Sequence, residues 1–169
     1  MKAVELSIAP RWGEIEGVRI AVLDAVEGFF GDGRRELGEA MAMIASELVE
    51  NAVKYGDQAK TSEVRIKVAV ENKTRITITV ASKVAGGGEH LRRLEDTIAW
   101  IESFSQPKYA YEERVRVVAM EHTHGGVGLV RIAYEGQSKL HARVEKGVLY
   151  VEATHDTRGP KPSIVPRRA

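Results

Sequence analysis

Ala45-Ser46-Glu47-Leu48-Val49-Glu50-Asn51-Ala52-Val53-Lys54-Tyr55-Gly56 is the stretch on which the reading of this chain turns. Leu37, Met41, Ile44, Leu48, Ala52 and Tyr55 recur at steps of four or three, so they form one apolar stripe on a long helix. Gly56 is a common helix stop. Glu47 and Asn51 lie four residues apart beside that stripe, stacked at the edge of the buried face. Such a pair has two readings. It is a solvated edge, or it is a site where a carboxylate takes a proton and an amide oxygen holds a hard cation.

On the N-terminal side, Lys2 to Ile8 alternates and reads as a half-buried strand ended by Pro10. From about Trp12 to Phe30 the period is helical, with Ile15, Val18, Val22, Ala25, Val26 and Phe29 on one side. Gly31-Asp32-Gly33 ends that helix. On the C-terminal side, Val64, Ile66, Val68 and Val70 alternate with polar residues, Asn72-Lys73 turns, and Ile76, Ile78 and Val80 return. Leu91, Leu94, Ile98 and Ile101 predict a helix. Pro107 opens another, with Tyr111, Val115, Val118 and Ala119 as its apolar stripe. A third runs from about Val127 to Tyr134, and a last hairpin turns at Lys146-Gly147. Strands joined by tight turns pair antiparallel, and one apolar sheet face needs helices to cover it. The expected fold is therefore α/β: a two-layer sandwich with a mixed, mostly antiparallel sheet and helices on one face.

The 169 residues fit one domain, read here as residues 1–155 followed by a flexible, basic, proline-rich tail over 156–169. That tail carries Arg158, Lys161, Arg167 and Arg168 against Asp156, and three of the five prolines. The net charge of +1 gives no electrostatic case for a nucleic-acid or membrane partner. With no cysteine, disulfides and thiolate zinc sites are excluded. No apolar run approaches the ~20 residues of a membrane span, and the N-terminus lacks a signal-like apolar region. A cytoplasmic location is expected.

Gly125-Gly126-Val127-Gly128-Leu129 stands before the third helix. Glycines at a helix start let backbone N–H groups approach an anion, so Gly125, Gly126 and Gly128 are candidates to hold phosphate. The other reading is a loop that needs unusual backbone angles. His122 and His124 flank Thr123 but make an incomplete metal site. The two tryptophans and the Tyr109, Tyr111 pair read as core or interface anchors. Lys83 and Arg92 or Arg93 are candidate phosphate contacts, or solvated charges.

Glu47 to Gly56 resembles the N-box of the GHKL, or histidine-kinase-like, ATPase superfamily. Gly125 to Ala133 resembles that family's second glycine box, and the two come in the family's order. The short form resembles the stand-alone serine kinases and anti-sigma factors, including the SiaB-like branch. The resemblance implies a Bergerat-type ATP-binding fold with ATP and Mg as cofactors. It implies Asn51 as the Mg ligand through the nucleotide phosphates and Glu47 as general base. Gly125, Gly126, Gly128 and Leu129 would pack against the triphosphate. The span from Lys83 to His124 would be the nucleotide lid, with only the piece near Glu121 to His124 moving. The chain departs from the family at its first glycine box, D-x-G-x-G, whose Asp accepts from the adenine amino group. The matching run is Ser82-Lys83-Val84-Ala85-Gly86, with Ser for Asp and Val for the first Gly; Ser82 and Gly86 mark where the base would be held.

Two functions follow from the resemblance. One is a bacterial-type regulatory kinase that transfers phosphoryl from Mg-ATP to Ser or Thr of a STAS-like or sigma-factor-pathway partner. The other is a partner-binding module of the same fold with weak or no nucleotide binding. The intact Glu47 and Asn51 favour the first; Ser82 favours the second. A detached histidine-kinase catalytic domain is weaker, since nothing resembles a phosphoacceptor helix pair. The family reading also admits a homodimer.

Overall fold

The computed structural model describes residues 1–56, 62–84, 88–121 and 126–164. Gly86, Gly125, His122 and His124 lie outside them. The elements run β1 (Lys2–Ile8), α1 (Ile15–Phe30), α2 (Arg35–Tyr55), β2 (Val64–Glu71), β3 (Arg75–Lys83), α3 (Glu89–Glu102), α4 (Pro107–Met120), α5 (Gly128–Tyr134), β4 (Ser138–Glu145) and β5 (Val148–Asp156). The five strands form one open sheet in the order β1-β2-β3-β5-β4. Every neighbouring pair is antiparallel, so the mixed sheet allowed by the sequence is antiparallel throughout.

Both tight hairpins follow from their turn residues. Asn72 and Lys73 have φ of 50° and 55°, and Lys146 and Gly147 have 51° and 76°. Two consecutive left-handed residues match the twist of the strands they join. The register then places Val64, Ile66, Val68 and Val70 on the same buried face as Ile76, Ile78 and Val80, and as Leu149, Val151 and Ala153. The opposite face carries Arg65, Lys67, Thr77 and Thr79 and is wetter.

Helices cover the apolar face. α1 and α2 form a helical hairpin over the β1–β3 side; α3 and α5 pack over β4. α2 is the central element: Met41, Ile44, Leu48 and Val49 are at most 2% exposed. Truncating one of these to alanine would cost about 2–5 kcal/mol. α2 stops where Gly56 turns extended, with φ −80° rather than a left-handed cap. A Cβ there would lie 2.4 Å from the Ala52 carbonyl oxygen, so close approach is what requires glycine. Gly56 also bridges to Val84, tying the end of α2 to the end of β3.

α4 departs from expectation. Of its stripe of Tyr111, Val115, Val118 and Ala119, Tyr111 packs half-buried against the core and none is fully buried; only Ala110 of this helix is. Val115 is 40% exposed and Met120 67%. The helix rides outside α3 and α5 rather than on the sheet. Residues 157–164 have no helix or strand, yet Ser163 N–H donates to the Glu135 carbonyl at 2.9 Å and Ile164 packs on the core. No helix among the described residues is long and apolar enough to cross a membrane.

Candidate functional site

A cleft of about 810 Å³ opens along α2. Glu47, Glu50, Asn51, Lys54 and Tyr55 line it from α2, and Gly126, Val127, Gly128 and Leu129 from the turn into α5. His90, Arg93, Leu94 and Thr97 come from α3, Arg114 from α4, and Trp12 from the turn before α1. Its size lies within the range of small-molecule sites. The i,i+4 pair on α2 and the glycine turn thus meet across one space.

Glu47 sits on the inner side of α2, between buried Leu48 and Ala45, and is 5% exposed. A carboxylate there needs a partner. Arg131, one turn into α5, supplies it: Nη1 donates to Glu47 Oε1 at 3.2 Å, and Nε donates to Oε2 of Glu135. All three side chains are nearly closed off, at 12% exposure for Arg131, 6% for Glu47 and 1% for Glu135. Burial alone would pull the Arg131 guanidinium down. Hydrogen bonds and charge from Glu135 and Glu47 outweigh that and hold it above the usual arginine range. The second Glu47 oxygen, Oε2, presses on Gly128, where a Cβ would lie only 2.7 Å from it. Gly128 is therefore glycine because the carboxylate needs the room. Gly126 is glycine for its backbone, with φ +82°.

The cleft carries charges of both signs, with Glu47 and Glu50 facing the same space as three cations. Lys54, Arg93 and Arg114 line it, and Arg114 Nε is buried without a hydrogen-bond partner among the described residues. The Arg114 guanidinium carbon also lies 5.0 Å from the centre of the Trp100 ring. Among the described residues no group of three or more His, Cys, Asp or Glu is placed to hold a metal. A side-chain amide oxygen such as that of Asn51, which lines the cleft, is a group able to hold Mg²⁺ alongside ligand phosphates. At the far end of the cleft the Tyr55 and His90 rings meet at 4.7 Å, and Lys54 Nζ lies 5.0 Å from the Tyr55 ring centre. Burial lowers the His90 pKa, and the Arg93 charge adds to the effect.

Of the residues singled out in the sequence, Glu47, Asn51, Gly126, Gly128 and Leu129 share this cleft. Ser82 is not among its lining residues: it is buried on the covered face of the sheet, paired in register with Val64 and Leu149. Lys83 and Arg92 do not line the cleft either, whereas Arg93 does, with its Nη2 also 2.8 Å from Glu89. Trp12 is no core anchor; it is 59% exposed at the cleft. Arg131 escaped sequence reading because its partner Glu47 lies 84 positions away. The i,i+4 spacing of Arg131 and Glu135 was the one local signal. No protein-family model matches this chain, and comparison with curated proteins finds no match.

Proposed function

We propose that this chain is a regulatory protein that binds Mg-ATP in the α2–α5 cleft and transfers phosphoryl to a hydroxyl of a protein partner. The observation that carries this reading is the convergence of Glu47 and Asn51 with Gly126–Leu129 on one cleft lined by three cationic side chains. Mg-ATP would bring the phosphoryl group. Asn51 would hold the metal, while Lys54, Arg93 and Arg114 neutralise phosphate charge. Glu47 Oε2, the oxygen beside Gly128, would take the proton of the attacking Ser or Thr. Phosphoryl transfer asks mainly for such positioning and charge neutralisation. A STAS-like or sigma-factor-pathway protein is the partner class that the resemblance implies.

A second reading, a partner-binding module without catalysis, has its own support: Glu47 Oε1 is held by Arg131 and Ser82 lies off the cleft. The separating experiment incubates the protein with Mg-ATP carrying a labelled γ-phosphate and a STAS-domain partner. The kinase reading expects transfer by wild type and a loss of about 10²–10⁴-fold in Glu47→Gln, with ATP binding kept. Binding without transfer in either protein selects the module.

A further inference from the structure

Trp12 is an indole in an unusual place. It belongs to the single turn Trp12–Glu14 that leads into α1, and it is 59% exposed although it lines the cleft. An aromatic of this size is ordinarily used to cover apolar surface. α1 and α2 are joined by a short connection and pack against each other, so the start of α1 stands beside the end of α2. Trp12 therefore shares the mouth of the cleft with Lys54 and Tyr55. Glu47, which meets the glycine turn, lies eight residues earlier on α2, a rise of about 12 Å. One end of the cleft thus carries the glycine turn and the buried acid, and the other carries rings.

The rings at that end are not equivalent. Tyr55 already has His90 against it at 4.7 Å and the Lys54 ammonium 5.0 Å from its centre. Trp12 has no ring or cation contact among those found in the described residues. It is the cleft aromatic with a face to offer. Ser82, the position from which a side chain would read the edge of a base, does not line the cleft.

We propose that Trp12 is a ligand-binding residue that stacks on the planar ring of a nucleotide whose phosphates lie toward Gly126–Gly128. This rests on the nucleotide reading above and extends it to how the base is held. Stacking uses the π-face that every base possesses, so it binds without selecting among bases. The site then accepts purine nucleotides as a class, ATP and GTP alike.

Because Trp12 is exposed, its replacement leaves the fold intact, and the test can be made by calorimetry. Mg-ATP, Mg-GTP and Mg-tripolyphosphate are titrated into wild type, Trp12→Phe and Trp12→Ala. The expected result is a loss of about tenfold or more in affinity for both nucleotides in Trp12→Ala, a smaller loss in Trp12→Phe, and no change for tripolyphosphate in any protein. Nucleotide affinity unchanged in Trp12→Ala overturns the stacking role. Tripolyphosphate bound as tightly as ATP by wild type also overturns it, while leaving the phosphate site standing. Binding of none of the three by wild type removes this proposal and the nucleotide reading together.

Discussion

Arg131 holds Glu47: its Nη1 donates to Oε1 across 3.2 Å in a position closed to water, while its Nε is shared with Glu135. The candidate base is therefore part of a buried acid–arginine–acid cluster that joins α2 to α5. Arg131 bonds one oxygen of the Glu47 carboxylate, and the other lies beside Gly128.

Arg131→Met removes the cation between two buried carboxylates. Breaking a buried pair by deleting one partner costs about 3–5 kcal/mol. Urea unfolding of the variant should show a loss of this order. A change below about 1 kcal/mol would mean that Glu47 and Glu135 are held by other groups.

Gly128→Ala places a methyl 2.7 Å from Glu47 Oε2. The carboxylate must move or the turn must shift, at a cost of about 1–3 kcal/mol. The paired variant Glu47→Ala, Gly128→Ala has no such clash, so a double-mutant cycle should show positive coupling. Additive effects would refute the contact.

Stability should depend on pH through His90. Its folded pKa lies below the ordinary histidine value of 6.5, first because burial penalises the charged ring and then because of Arg93. The unfolded chain binds the proton more readily. The contribution is thus fully present above 6.5 and is lost as pH falls through the lower folded value. Thermal melts between pH 7.5 and pH 5 should show a drop that His90→Gln reduces. An identical drop in that variant would assign it to other groups.

The sheet was legible because alternation and turn chemistry agree: Val64 to Val80 reads as a hairpin with left-handed residues at Asn72 and Lys73, and the register has that form. The α2 stripe was legible from its steps of three and four, except at its last member, Tyr55, which is 39% exposed. α4 was not, because the period of Tyr111, Val115 and Val118 shows that one side is apolar and not whether another layer covers it; here none of the three is buried. Glu47 and Asn51 were visible as neighbours on one helix. Trp12 and Arg114 reach the cleft from two other elements and Arg131 reaches Glu47 from a third, and no spacing along the chain records those meetings.

The most direct test of the account is a calorimetric titration of ATP into wild type and Asn51→Ala, with magnesium present and with magnesium chelated. Wild type should bind ATP with magnesium, and Asn51→Ala should lose at least about 1.4 kcal/mol, or tenfold in affinity. The two proteins should differ little once magnesium is removed. Absence of binding by wild type, or equal magnesium-dependent affinity in the two proteins, would contradict it.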